Sequence, residues 1–378
     1  MIARHSAVTG KVSSIFETLT RDAGPLGATA AAPAKARRDD KAMLRAAADL
    51  TRDLNRPSAP VYWADFLASA ALGYATLVLA ATTASTLVLL IAGLVSILAL
   101  FRAGSFIHEL THIKKGELKG FKLGWNLVAG IPLLIPSFLY EGIHNLHHAK
   151  IRYGTVEDPE YLPLALMKPW TLPLFLLAAL LAPLALLFRF AVLTPLSLFI
   201  PWLRTQVVER YSGLQINPRF RRKPAEGELA RQWRWQEGAA SLWAIALVTT
   251  ALTGLVPLHA FLVSLAVTSG TMLLNQVRTL VAHLWENDGD PLSVTEQFLD
   301  SVNVPPPGLA AELWAPVGLR YHALHHLLPG LPYHALPTAH RRLKATLGED
   351  SAYHGANYGG LFPLVGRLAV ASWRGGRA

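Results

Sequence analysis

The residues best suited to chemistry in this chain are histidines that recur in three five-residue windows. Eight of the 14 His lie there: His108 and His112; His144, His147 and His148; and His322, His325 and His326. On a helix, residues three and four apart share a face, so HxxxH offers two imidazoles to one metal ion and HxxHH offers three. Two copies of HxxHH beside an HxxxH are very improbable as an accident of composition. The spacing therefore predicts a metal centre.

The ligand type limits the choice of metal. Imidazole suits Fe, Zn, Cu or Ni, and the chain has no Cys that could add a thiolate. Zinc takes four ligands, so these imidazoles are too many for one zinc ion. They are enough for two metals with open positions, where a redox-active pair such as iron would bind O2.

One isolated histidine is a ninth candidate ligand. His283 lies in RTLVAHLWEN, at the end of a predicted membrane span and two turns after Asn275. We interpret the remaining histidines as solvated or structural: His5, His259, His334, His340 and His354.

Acidic side chains are expected around these histidines, since a metal-bound imidazole usually donates its other N–H to a carboxylate or carbonyl. The acids nearest to the windows in sequence are the candidates: Glu109, Glu141, Asp158 and Glu286.

Two other functions fit part of the pattern. His108–His112 also matches HExxH, in which Glu109 would be the general base of a membrane zinc metalloprotease, with an acid of Asn287–Asp290 as third ligand. That reading leaves both HxxHH windows unexplained. A metal transporter is the third class, but the histidines lie outside the spans rather than along a path through them.

The elements that position these residues belong to a membrane protein. Apolar residues make up 52% of the chain and charged residues 16%, against about 25% charge in average soluble domains. This composition argues against disorder, and the absence of Cys excludes a disulfide scaffold. The net charge of +10 accompanies no nucleic-acid-binding motif, so no nucleic-acid partner is expected.

Four apolar runs predict an all-α membrane fold with two transmembrane hairpins. A run of about 20 residues spans a bilayer core of about 30 Å. The predicted spans are Phe66–Ala84, Ser85–Ile107, Ala239–Pro257 and Leu258–Ala282. Interfacial helices and a cytoplasmic His-rich helical cap complete the predicted fold.

Two further apolar segments are predicted to lie in the membrane without crossing it. Trp170–Leu203 contains four Pro and Arg189, and both its neighbours are basic, so we expect a re-entrant or membrane-lying hairpin. Leu127–Leu139 is too short to span and is expected in the interface.

The basic residues predict the orientation. Lys and Arg are absent from residues 63–101 and 237–277, which hold both predicted hairpin turns. The positive-inside rule then places both termini and the His clusters in the cytoplasm. Residues 1–60 are predicted to be a polar, flexible arm, in which Lys41–Asn55 has the pattern of a short amphipathic helix. Residues 61–347 form the membrane domain, and 348–378 a C-terminal tail.

At these motifs the chain resembles the membrane-bound fatty acid desaturase/hydroxylase superfamily. The resemblance runs from about Ala59 to about Leu347 and includes the tail HHLLPGLPYHALPTAHRRL. It implies a non-haem di-iron site with nine ligands: His108, His112, His144, His147, His148, His283, His322, His325 and His326. Some members place an Asn four residues before the ninth His; here that residue is Thr279.

The resemblance also implies the reaction. Family chemistry is O2 activation and hydrogen abstraction from an unactivated methylene of a fatty acyl lipid, with electrons from a separate ferredoxin- or cytochrome-type donor. Desaturation is the favoured outcome. Hydroxylation and oxidative decarboxylation to a terminal alkene are the alternatives, because they use the same iron ligands.

Overall fold

The computed structural model describes residues 39–307 and 310–375, and its regular elements are helices, as predicted. In chain order they are α1 (Lys41–Leu50), α2 (Ala59–Thr82), α3 (Thr86–Leu110), α4 (Phe121–Trp125), α5 (His144–His147), α6 (Thr171–Ser197), α7 (Pro201–Tyr211), α8 (Gly227–Leu252), α9 (Leu258–Leu280), α10 (Val294–Asp300), α11 (Ala311–Trp314), α12 (His322–Leu327), α13 (Leu336–Thr346) and α14 (Leu361–Gly375).

Helices α2 and α3 form the first predicted hairpin. They pack along their length, and Ser85 caps α3 by accepting a hydrogen bond from the Val88 N–H. The two backbones come close at Gly73, where a Cβ would lie 2.6 Å from the Leu100 side chain. The Ser96 hydroxyl donates to the Gly73 carbonyl at 2.8 Å. A small residue and an interhelical hydrogen bond are typical ways to join helices in lipid.

Four helices are long and apolar enough to cross a membrane, but they differ from the predicted four at one position. They are α2, α3, α6 and α9. The prediction for Trp170–Leu203 was a hairpin, yet Thr171–Ser197 forms a helix interrupted only by one π-helical turn, Arg189–Leu193. Proline in a first helical turn costs no hydrogen bond, so Pro173 does not break α6. Pro183 lies inside its first α-helical part, and Pro195 follows the π-helical turn.

The predicted span Ala239–Pro257 is the apolar half of the longer helix α8. The first half of α8 carries Glu228, Arg231, Arg234 and Glu237, so its uncharged part, 238–252, is about 22 Å long. Helix α8 packs chiefly against the π-helical turn of α6, whereas α9 packs against α3, α2 and α6. The two helices therefore diverge from the turn that joins them.

The segment predicted to lie in the interface, Leu127–Leu139, is irregular. A π-helical turn at Asn126–Gly130 is followed by a 3-10 turn at Ser137–Leu139. The buried Asn126 side chain joins them: its amide donates to Ser137 Oγ at 2.9 Å and its carbonyl oxygen accepts the Ser137 N–H at 2.8 Å. Irregular backbone at membrane depth requires such internal partners.

Both predicted extensions are folded where the structure describes them. Helix α1 lies within the predicted amphipathic segment and buries Met43 and Ala47 against α13. In the predicted tail, α14 buries Leu364 and Leu368 in the cluster that contains Trp285. The flexible arm was predicted for residues 1–60, of which 1–38 lie outside the described residues.

Candidate metal centre

Helix ends deliver the nine histidines to one region. His108 lies in the last turn of α3, and His112 follows two residues after that helix ends. Short helices α5 and α12 carry the two HxxHH windows, and His283 follows α9 by three residues. The three windows are distant in sequence, yet the structure brings them together at the same end of α3 and α9.

The imidazoles divide into two groups in which the ligand atoms lie within 4.8 Å of one another. The first group contains His108, His112, His144, His148 and His325, and the second contains His147, His283, His322 and His326. The two groups do not coincide with the sequence windows, because the adjacent residues His147 and His148 belong to different groups. A pair of adjacent sites follows from this arrangement.

The distances between Nε2 atoms suit metal ions. In the first group, His144 and His148 are 2.9 Å apart and His148 and His325 are 3.1 Å apart. In the second, His283 lies 3.2 Å from His147 and 3.1 Å from His322. With metal–nitrogen bonds of about 2.0–2.1 Å, neighbouring ligand nitrogens lie about 2.8–3.4 Å apart, from octahedral to tetrahedral angles.

Buried nitrogens without partners give a second sign of fit. Nε2 of His108 and Nε2 of His112 are buried and have no hydrogen-bond partner among the described residues. A buried polar atom normally has one. An all-imidazole donor set with two such atoms is compatible with a transition-metal ion such as iron.

Acidic residues contact the outer nitrogens of two histidines. The Nδ1 atom of His147 lies 2.9 Å from Asp158, and that of His144 lies 3.1 Å from Glu160. Asp158 is itself fixed by the Gly154 N–H at 2.8 Å. Tyr140 donates to Glu160 at 2.9 Å. Such contacts set which imidazole nitrogen faces a metal.

His283 is oriented by a hydroxyl network rather than directly by an acid. Tyr153 Oη lies 2.8 Å from His283 Nδ1 and donates to Asp300 at 2.7 Å. Ser301 Oγ lies 3.2 Å from the same nitrogen. All of these residues are buried.

The four candidate acids have different surroundings. Asp158 contacts His147 as described. Glu109 is 3.7 Å from His108, beyond hydrogen-bond distance, and instead accepts from the Tyr62 hydroxyl and from the Tyr333 N–H at 3.0 Å.

The other two candidates pair with cations and contact no imidazole within residues 39–307 and 310–375. Glu141 pairs with Lys122, and Glu286 pairs with Arg367 at 3.0 Å on the surface. The prediction chose acids by their distance along the sequence. This choice was incomplete because the loop 149–160 folds back over the second window and brings its own acids to the imidazoles. It also missed Glu160, although Glu160 stands two residues after Asp158, and Asp300, whose contact with His283 runs through Tyr153.

Burial controls the charge of the imidazoles. It lowers the pKa of His322, His325 and His326 well below the usual range, and the neighbouring imidazoles add to the shift. Burial also lowers the pKa of His112 to about 4. For His147, burial acts in the same direction, but the nearby carboxylates, led by Asp158, outweigh it and raise the pKa. Metals bind the neutral imidazole, and burial favours that form.

Of the histidines outside the two groups, His5 lies outside the described residues, and two others have structural partners. His340 Nδ1 lies 2.8 Å from the Tyr353 hydroxyl, and His334 Nε2 accepts the Ser58 N–H at 3.1 Å. His259 is exposed at the start of α9, at the other end of that helix. Thr279, four residues before His283, donates its hydroxyl to the Asn275 carbonyl at 2.9 Å.

An ion pair near the histidine windows attaches the segment after α12 to the first hairpin. Arg102 of α3 donates to Asp65 of α2 through two nitrogens, each at 2.6 Å. The Tyr333 hydroxyl donates to the same carboxylate at 2.8 Å. This contact fixes the third window over α2 and α3.

Comparisons with known proteins agree with this geometry. The sequence profile described as fatty acid desaturase matches residues 81–357. The chain is 52% identical over 329 residues to a protein named ceramide hydroxylase from Caulobacter vibrioides (strain NA1000 / CB15N). The aligned region covers 87% of this chain and 93% of the relative. No solved structure matches the chain.

Proposed function

This chain belongs to the fatty acid desaturase family, and we propose that it is a di-iron oxygenase that hydroxylates a lipid of the ceramide class. The observation that carries the proposal is the pair of adjacent imidazole groups, whose nine ligands come from four separate parts of the chain. The name of the Caulobacter relative favours hydroxylation, the alternative that the sequence analysis ranked below desaturation.

We assign the nine histidines as ligands through their Nε2 atoms. When bound, a pair of irons supplies O2 activation and abstraction of hydrogen from an unactivated C–H bond. Asp158 and Glu160 accept the Nδ1–H protons of His147 and His144, and Tyr153 holds His283. Their part is to keep each lone pair aimed at its metal.

The reaction needs electrons from outside the chain. Hydroxylation consumes one O2, two electrons and two protons, and inserts one oxygen atom into a C–H bond while the other leaves as water. The chain has no Cys, which rules out a built-in iron–sulfur donor. We propose a separate ferredoxin- or cytochrome-type protein as the donor.

Desaturation remains the second candidate, because the family profile carries that name. It uses the same O2, electrons and protons but removes two hydrogens from the lipid and releases two waters. The ligand set is the same for both outcomes. The position of the substrate C–H bond relative to the metals decides between them.

The protease interpretation fits the structure poorly. A general base in HExxH must reach a metal-bound water. Here Glu109 accepts from Tyr62 and Tyr333, and five imidazoles rather than two surround the nearest site.

The test is product analysis with the purified protein in lipid nanodiscs. Iron-loaded protein, a reduced ferredoxin or cytochrome donor, O2 and a defined ceramide are combined, and lipids are identified by mass spectrometry. The proposal predicts a ceramide that has gained one oxygen atom. His259→Ala, far from both groups, should retain this activity, and His147→Ala should lose it. A product lacking two hydrogens would establish the desaturase, and an unchanged ceramide would overturn the hydroxylase assignment.

A further inference from the structure

Arg278, in the last turn of α9, is a cation whose role the metal centre leaves unexplained. It lies five residues before His283. Its side chain is partly buried, and its Nε is fully buried without a hydrogen-bond partner. The guanidinium forms no hydrogen bond or ion pair with residues 39–307 or 310–375. A fully buried N–H such as this Nε normally has an acceptor, because losing its water without gaining a partner is costly.

Its surroundings are the metal ligands. Burial and neighbouring imidazoles lower the pKa of His283 and His322, and the charge of Arg278 lowers both further. On the other side, burial raises the pKa of Glu160 to about 7, and Arg278 acts against that rise. The guanidinium therefore lies within electrostatic range of both histidine groups.

Glu160 is the acid whose charge acts on Arg278, but its carboxylate already has other partners. Glu160 accepts from Tyr140 and faces His144 Nδ1. A guanidinium has no lone pair and cannot ligate a metal. Beside two metal cations it would also be repelled, unless an oxygen-rich group lay between. The expected partner is an acceptor that the described chain does not supply.

A polar stripe on α9 leads to this cation. The residues Ser264, Thr268, Thr271, Asn275 and Arg278 follow at intervals of three or four and share one side of the helix. The three hydroxyls donate to carbonyls of α9 itself. Asn275 is exposed, and its side-chain amide has no hydrogen bond within the described residues. Two open polar groups thus lie one turn apart at the metal end of a membrane helix.

We propose that Arg278, together with Asn275, binds an oxygen atom of the lipid's polar head and so positions the carbon that is oxidised. The inference rests on the proposed function. Charge-assisted hydrogen bonds to a carbonyl or hydroxyl oxygen suit a guanidinium, and an amide lipid carries both groups. With its head held beside the metals, the lipid is oxidised within a few bonds of the head rather than far along the chain. Arg278 is accordingly a positioning residue.

The experiment compares Arg278→Gln and Arg278→Lys with Arg231→Gln, whose exposed side chain pairs only with Glu228 on α8. Three quantities are measured: iron content, KM and kcat for ceramide, and the position of the new hydroxyl by tandem mass spectrometry. Binding of a photoactivatable ceramide to the metal-free protein gives a readout that does not depend on turnover.

We expect Arg278→Gln to keep its iron, to raise KM about tenfold or more, to weaken photolabelling similarly and to scatter the hydroxyl over several carbons. Arg278→Lys should recover part of the affinity, and Arg231→Gln should behave as wild type. An Arg278→Gln protein with normal KM and one product would overturn this inference alone. Loss of iron from Arg278→Gln would overturn it in favour of a role in the metal centre. A wild-type protein that leaves ceramide unchanged would overturn the proposed function as well.

Discussion

In the histidine groups, the two nitrogens of an imidazole have different tasks. For His144, His147 and His283, Nε2 faces other imidazoles, while Nδ1 contacts an oxygen atom of Glu160, Asp158 or Tyr153. This division fixes the tautomer that a metal needs. Because the Nδ1 partner must lie beside the imidazole in the folded protein, an acid that is close in space can orient a histidine, whereas one that is close only in sequence cannot.

At this scale, Asp158→Asn tests the support of His147. The neutral amide oxygen of Asn accepts the Nδ1–H more weakly than a carboxylate does. We therefore expect the iron affinity of the second group to fall about 10–100-fold. Iron retention during dialysis against a chelator measures the effect. Glu157→Gln is the matched control, because that neighbour is exposed and its carboxylate lies 3.7 Å from Arg152, away from the histidines. Equal iron retention in both variants would contradict the role of Asp158.

At the scale of elements, α6 shows where sequence reasoning failed. Proline count and basic flanks predicted a hairpin for Trp170–Leu203, but the helix continues through Pro183 and, after the π-helical turn, through Pro195. The buried Arg189 is satisfied by contacts that no local pattern reveals. It donates to Glu237 at 2.6 Å, Ser212 at 2.9 Å and the Tyr211 carbonyl at 3.0 Å. The hairpin α2–α3 was predictable because its two apolar runs and short turn are local features.

Removing Arg189 should therefore destabilise the packing of α6 on α8. Arg189→Met leaves the buried Glu237 paired only with the half-exposed Arg204, so we expect a loss of stability below the ~3–5 kcal/mol that a fully unpaired buried charge costs. Thermal unfolding in detergent should show a clearly lower Tm. The double variant Arg189→Met/Glu237→Met should recover most of the loss, since no buried charge remains unpaired. A single variant that unfolds at the wild-type temperature would disprove the anchoring role.

At the scale of the molecule, the sequence predicted most of the candidate metal ligands but fewer of the residues that orient them. Eight of the nine candidate ligands followed from spacing, because HxxxH and HxxHH are local patterns, and the structure brings them together with His283. The split into two groups was not predictable, since it depends on how α5, α12 and the end of α9 meet. The partners Glu160 and Asp300 depend on the same tertiary contacts.

The orientation in the membrane is a further prediction at this scale. The basic residues place the His clusters on the cytoplasmic side and the α8–α9 turn outside. The chain has no Cys, so single-Cys variants need no background changes. Leu255→Cys should react with a membrane-impermeant maleimide in intact spheroplasts, and Lys115→Cys only after lysis. Both residues are exposed. The reverse pattern of labelling would refute the cytoplasmic assignment.

If the nine imidazoles hold two iron ions, elemental analysis of the purified, active protein by mass spectrometry will find them. We expect two irons per chain with negligible zinc, and loss of iron in both His144→Ala and His147→Ala, which change different groups. One zinc per chain, or full iron content in both variants, would contradict it.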